Sequence, residues 1–260
     1  MTTSISPRTP GIEAAPSSAL GPIPFARLVR VEWAKATDTR AARWLLALVA
    51  LSTAGLMLVP VLAPTSFDQT YASYLGVAAV GVTILLPVVA ILMFTGEWSQ
   101  RSVMTTFTQE PRRIRVLNAK LAVSMVLGGG GAVFGGVVTA AGLGVAAASG
   151  RALEANLTVG AITGYLLFVL LNVLAGVALG ALLQSSATAI AAAFALPAAF
   201  AVLGTASTLV SNWIDMGTTW NWVLENHWAG HVPQISFSIV FWVAVPLAAG
   251  VVRTIRRDVG

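Results

Sequence analysis

The chain of 260 residues contains no cysteine. That excludes a disulfide framework, a thiolate nucleophile and a thiolate metal site. Charge is scarce too: only 10% of residues are Asp, Glu, Lys or Arg, against roughly 25% in ordinary globular chains. So little charge leaves no block able to form a second, water-soluble domain. Lysine occurs only as Ala34-Lys35-Ala36 and Ala119-Lys120-Leu121. Neither fits a Walker A loop, which needs Gly-Lys-Ser/Thr to hold phosphate and magnesium. If ATP drives this protein, another subunit binds it.

What remains is apolar. Hydrophobic residues make up 57% of the chain and the mean hydropathy is +0.82. They fall in runs long enough for transmembrane helices, separated by short polar breaks. The pattern predicts an all-α membrane protein with six spans, over 44–63, 71–94, 121–148, 157–183, 189–210 and 235–252. With the N-terminus inside, every Lys and Arg except Arg151 falls on the cytosolic side, as the positive-inside rule requires. Both termini are then cytosolic.

The first 24 residues, rich in Ser, Pro and Ala, read as a disordered cytosolic tail. In 25–43, Phe25, Leu28, Val29 and Trp33 recur at helical spacing, with Arg27, Arg30 and Lys35 largely around the other side. This is the pattern of an amphipathic helix lying in the membrane interface, in contact with lipid; a solvated lead-in to the first span is the alternative. The pairs Gly131/Gly135 and Gly176/Gly180 are GxxxG spacings that let helix backbones approach, although glycine is frequent in membrane helices anyway.

The span interiors, so bounded, contain no Asp, Glu, Lys, Arg or His. Ion-driven transporters usually place such groups at membrane depth, so coupling to a proton or sodium gradient is disfavoured. The polar features left at depth are Asn172, scattered Ser and Thr, and backbone freed by Pro87, Pro197 and Pro246. Asn172, Pro87 and Pro197 are candidate pathway residues, Asn172 being otherwise an interhelical hydrogen-bond group. The only histidines, His227 and His231, lie in a loop over 211–234 with Trp213, Trp220, Trp222 and Trp228. His227-Trp-Ala-Gly-His231 lacks the glutamate of a zinc-protease motif. With Glu225 adjacent, the i, i+4 spacing leaves open a metal site or a membrane-embedded enzyme. The competing reading is a solvated loop whose tryptophans form an interfacial belt.

The longest charged interruption is 95–120, where two apolar runs meet. Its elements are Gly96-Glu97-Trp98, Arg101-Ser102-Val103, Pro111-Arg112-Arg113 and Val116-Leu117-Asn118-Ala119-Lys120. Together they resemble the segment between the second and third spans of ABC type-2 exporter permeases. Arg30-Val31-Glu32-Trp33-Ala34-Lys35 is similar to that family's N-terminal connecting helix. The resemblance covers 25–257 and implies a transmembrane permease subunit, not itself an enzyme. It implies pairing with a second copy or a sister permease and with cytosolic ABC ATPase subunits that bind ATP and Mg, with no nucleic acid involved. Within 95–120 it implies a coupling helix near 101–111 that docks on the ATPase. Arg101, Val103, Met104, Phe107, Pro111, Arg112 and Arg113 are the coupling candidates; Arg112, Arg113 and Arg115 equally satisfy the positive-inside rule. Glu97 is expected to pair with a connecting-helix cation: Arg27, Arg30 or Lys35.

The mechanism the resemblance implies is alternating access, with the second and fifth spans lining the path. A lining of Ala, Val, Leu and Thr suits hydrophobic or amphipathic cargo: a drug, a lipid or a lipid-linked molecule. The alanine- and glycine-heavy composition suggests a bacterial source and thus an inner or plasma membrane. The rival readings are an ion-coupled carrier or channel, and the enzyme or metal protein built on His227 and His231.

Overall fold

The structure is a computed structural model that describes residues 23–99 and 112–256. Those residues are almost entirely helical, apart from a single isolated bridge between Thr70 and Glu154. In chain order they form α1 (Phe25–Thr37), α2 (Arg40–Leu62), α3 (Tyr71–Ser99), α4 (Arg113–Ala148), α5 (Val159–Leu183) and α6 (Ser186–Ala206). Two short helices follow, α7 (Thr208–Trp213) and α8 (Met216–Leu224). The final span, Val232–Arg256, consists of α9 (Val232–Ile239), a π-helical turn (Val240–Ala244) and α10 (Val245–Arg256). Six helices, α2 to α6 and this last composite, are long and apolar enough to cross a bilayer. The chain is a multi-pass membrane protein.

The centre is α3 packed on α5. Their most apolar stretches are 56% and 50% buried, against 6% for α6. Small residues make that contact close. A Cβ on Gly176 would lie 2.6 Å from the Pro87 carbonyl oxygen, and one on Gly180 3.2 Å from Ile91 Cα. Gly131 and Gly135 seat α4 in the same way against Val82, Leu86 and Tyr165, whose hydroxyl donates to the Ala132 carbonyl at 2.8 Å. Both glycine pairs are therefore packing surfaces. α6 stands at the edge, with Phe194, Leu196, Val202 and Leu203 exposed, the surface a lipid-facing helix requires.

Several boundaries depart from the sequence expectation. The stretch 25–43 is not one helix: it breaks at Asp38, and Thr39 opens α2 by accepting the Ala42 N–H at 3.1 Å. An N-cap oxygen satisfies a donor that the first helical turn leaves orphaned. The first span thus begins at Arg40, not near Trp44. The third begins at Arg113, so Lys120 lies two turns inside α4. The break at 184–188 is present: Gln184 adopts a left-handed conformation (φ 53°) and α6 starts two residues later.

The two ends of the bundle are tied differently. At the basic end, Arg115 donates to the Ile23 carbonyl (2.6 Å), Arg113 to that of Thr254 (2.7 Å) and Arg253 to that of Leu182 (2.7 Å). The Thr254 and Leu182 carbonyls are among those left open at helix C-termini, which these guanidinium groups cap, while Ile23 precedes α1. At the opposite end Arg151 donates to the Pro60 and Val61 carbonyls, and Asn156 Oδ1 accepts the Ala72 N–H at 2.9 Å.

Candidate functional site

Four charged side chains meet where α1 crosses the basic end of α3 and α4. Glu32 Oε1 lies 2.7 Å from Lys35 Nζ, one turn along α1. Its other oxygen, Oε2, lies 2.8 Å from Lys120 Nζ of α4. Glu97, in the last turn of α3, closes the circuit at 2.6 Å from Lys35 and 3.3 Å from Lys120. Each carboxylate thus bridges two ammonium groups, and the four formal charges cancel. Lys120 also donates to the Met93 carbonyl at 3.0 Å.

Glu32 and Lys120 are only 4% exposed each. Charges so far from water persist only when paired and hydrogen-bonded, and this ring supplies that pairing. For Lys35, burial alone would lower the pKa. The hydrogen bonds and charges of Glu32 and Glu97 outweigh it and hold the ammonium above its ordinary value.

The ring draws together Glu97 and Lys35 but not the other two expected cations. Arg27 and Arg30 are exposed on α1, and among the described residues neither is ion-paired to Glu97. The residues missed were Glu32 and Lys120. Glu32 lies on the same face as Val29 and Ala36, which pack on the core, whereas Phe25 and Trp33 remain 43% and 41% exposed. The expected apolar stripe is thus split: part faces the bundle, and part is left for the membrane surface. An acid among the bundle-facing residues was the available signal, because it demands a partner. Lys120 had been read as sitting outside the third span; α4 begins earlier, and the ring neutralises it.

Of the coupling candidates, Arg101, Val103, Met104, Phe107 and Pro111 lie outside the described residues. Arg112 is exposed. Arg113 serves the chain itself, bonding the Thr254 and Ile255 carbonyls of α10.

A second feature lies deeper. Pro87 of α3, Asn172 of α5 and Pro197 of α6, chosen from the sequence separately, line one cavity of about 330 Å³. Trp220 and Trp242 are also among its lining residues. Asn172 donates to the Phe168 carbonyl within its own helix at 2.8 Å. None of the described residues that line the cavity is ionisable.

The wall containing Trp220 is built by α8, which folds into the bundle. Asp215 caps it by accepting the Gly217 and Thr218 N–H groups at 3.1 and 3.2 Å. The buried Thr219 hydroxyl meets that of Ser238 at 2.8 Å, and Trp242 Nε1 donates to the Ile214 carbonyl at 2.7 Å. Trp220 is fully buried and belongs to the core, which corrects the expectation of a belt at head-group level for this residue. Trp213, Trp222 and Trp228 are partly exposed.

His227 and His231 lie in the non-helical stretch between α8 and α9, so their i, i+4 spacing does not create a shared helical face. His231 stacks on Trp222 with ring centroids 4.0 Å apart, and its Nδ1 is 3.1 Å from the His227 carbonyl oxygen. His227 Nδ1 is 3.2 Å from Glu225 Oε2. Among the described residues, no group of three His, Asp or Glu is placed to hold a metal ion.

No family model, curated protein or solved structure matches the chain.

Proposed function

We propose that this chain is the membrane-spanning permease subunit of an ATP-driven exporter of the ABC type-2 kind, in a bacterial inner or plasma membrane. It pairs with a second permease copy and with separate ATPase subunits that hold ATP and Mg. By alternating access it moves a hydrophobic or amphipathic molecule.

The observation that carries this reading is the Glu32–Lys35–Glu97–Lys120 ring. Glu97 and Lys120 flank the coupling segment on its two sides, and Glu32 and Lys35 belong to the helix that precedes the first span. A push delivered between Glu97 and Lys120 would reach α1, α3 and α4 together, because buried ion pairs resist separation. The uncharged cavity agrees with apolar cargo and offers nothing for a proton relay to protonate.

The test is co-expression with an ATPase encoded by an adjacent reading frame carrying a Walker A motif and an ABC signature. The two proteins should co-purify, and Met104→Glu with Phe107→Glu should abolish the complex. A complex that survives both changes rules out the coupling assignment. ATP-independent transport that follows a proton or sodium gradient would favour the carrier reading instead.

A further inference from the structure

Several of the described cations serve the chain itself. Lys35 and Lys120 sit in the ion ring, and Arg113, Arg115, Arg151 and Arg253 donate to carbonyls. Arg27 and Arg30 of α1 and Arg40 and Arg43 of α2 are different. All four are exposed, and no side chain among them has an ion pair or hydrogen bond with the described residues. Of the two acids in 25–44, Glu32 is held in the ring and Asp38 is exposed. Four cations against one free acid leave three uncompensated positive charges where α1 joins α2.

The start of α2 indicates what these charges meet. Arg40 and Arg43 are neighbours at i, i+3 on the helix surface. Trp44, Leu48 and Leu51 continue the Arg40 face at i+4, i+8 and i+11, and all three are exposed, Trp44 by 73%. At 1.5 Å per residue, Leu51 lies about 16 Å along the helix from Arg40, which is about half of a hydrocarbon core about 30 Å thick. Cations, then an indole, then aliphatic side chains thus follow one another down one stripe of a membrane span. A phospholipid has the same order: phosphate, glycerol ester, acyl chain. On α1 the exposed Trp33 lies one turn from Arg30, so a cation and an aromatic share the outward face there too.

We propose that the α1–α2 corner binds an acidic phospholipid of the leaflet at the basic end, its phosphate between Arg40 and Arg43 and one acyl chain along Trp44, Leu48 and Leu51. Guanidinium groups pair with phosphate oxygens through charge-assisted, bidentate hydrogen bonds. Arg27 and Arg30 add to the attraction, each cation near an anionic surface being worth about fivefold in affinity. The same charges discriminate between headgroups. Phosphatidylcholine brings a quaternary ammonium into a field of like sign, whereas phosphatidylglycerol brings none. An acidic protein would match the arginines but not the aliphatic stripe that runs on into the span. The inference stands apart from the transport reading, since it needs neither ATP, cargo nor a partner chain.

The test is native mass spectrometry of the full-length chain in detergent, titrated with phosphatidylglycerol and phosphatidylcholine of identical acyl chains. Phosphatidylglycerol should bind at least about fivefold more tightly, a comparison that needs no variant. Arg43→Gln should lower that preference. Arg256→Gln removes the same charge from the exposed end of α10, at the same end of the bundle, and should leave the preference unchanged. Arg40→Gln with Arg43→Gln should remove most of it, and adding Arg27→Gln and Arg30→Gln should abolish it. The altered side chains are exposed and unpartnered, so in lipid-free detergent every variant should unfold at the same denaturant concentration as the native chain. Glycerol 3-phosphate, a headgroup without acyl chains, should not displace the lipid. Equal binding of the two lipids, an Arg256→Gln effect as large as that of Arg43→Gln, or displacement by glycerol 3-phosphate overturns the proposal; the last result would mark a site for free phosphate. Failure of ATP-driven export would sink the exporter reading and leave the lipid site standing.

Discussion

Lys120→Met removes the most buried cation of the ion ring and keeps most of the side-chain volume. In the native chain its ammonium contacts Glu32 at 2.8 Å, Glu97 at 3.3 Å and the Met93 carbonyl at 3.0 Å. The lysine side chain is 4% exposed and that of Glu32 5%, so water cannot replace what is lost. Removing one partner of a buried pair typically costs about 3–5 kcal/mol. Lys35 still neutralises one carboxylate, which places the expected loss near the lower limit, about 3 kcal/mol.

Lys35→Met removes a cation whose side chain is 42% exposed. Solvent screens it, and the expected loss is about 1 kcal/mol or less. Combining Lys120→Met with Glu32→Gln removes the stranded charge together with its partner. The double variant should be more stable than the sum of the singles implies, by about 1–3 kcal/mol. Equilibrium unfolding in mixed micelles, titrated with a denaturing detergent, measures Lys35→Met by itself and the cycle formed by Lys120→Met, Glu32→Gln and their combination. Additivity within about 0.5 kcal/mol, or a Lys35→Met loss as large as that of Lys120→Met, would refute the buried ring as the tie between α1, α3 and α4.

The same unfolding assay tests the α3–α5 contact. Gly176→Val pushes a side chain into the Pro87 carbonyl, 2.6 Å from the new Cβ, and should cost about 1–3 kcal/mol. Gly129→Ala, where nothing lies within 4 Å of the new Cβ, should be neutral or gain up to about 1 kcal/mol. On pH, the raised pKa of Lys35 means its contribution is fully present below its unfolded value of about 10.4. It is lost as pH climbs through the higher folded value, so stability measured from pH 8 to 11 should fall at the alkaline end, less steeply in Lys35→Met. The cysteine-free chain also suits a topology test. Ala152→Cys should react with a membrane-impermeant maleimide added to intact cells, whereas Asp38→Cys should react only after lysis; the opposite pattern would invert the orientation.

The six spans are legible in the sequence because an apolar run of about 20 residues has few alternatives to a membrane helix. Charge was a less reliable guide to where they end. Lys120 marked an edge only on the assumption that a cation cannot enter the bundle, and Glu32, on another helix, removes that restriction. Glu32 itself passed unnoticed because a one-dimensional pattern shows that an acid shares a face with Val29 and Ala36 but not what that face meets. The break at Asp38 and Thr39 carried a readable cap, yet basic and apolar residues continue on both sides and conceal it. Pro87, Asn172 and Pro197 stood out as polar features of apolar spans. That they share one cavity depends on the rotation of three helices, which composition does not encode. Trp220 shows the limit from the other direction: an aromatic in a loop between spans looks interfacial until α8 carries it inward.

The π-helical turn at Val240–Ala244 sets the phase of the last span. One extra residue in a turn rotates everything after it by about 100° relative to an uninterrupted α-helix. Before the turn, Ser238 faces Thr219 of α8; beyond it, Gly250 fits against Ala181 and Leu182, and Thr254 accepts from Gln184 at 3.0 Å. A single helix thereby matches two neighbours whose surfaces are out of step. Deleting one residue within the turn would restore a regular α-helix and keep Gly250 in place, whereas deleting one between the turn and Gly250 would offer Val251 there, at a position where a Cβ would come within 2.6 Å of the Leu182 backbone nitrogen. The last span should therefore tolerate the loss of one residue inside Val240–Ala244 while rejecting a one-residue insertion or deletion between that turn and Gly250.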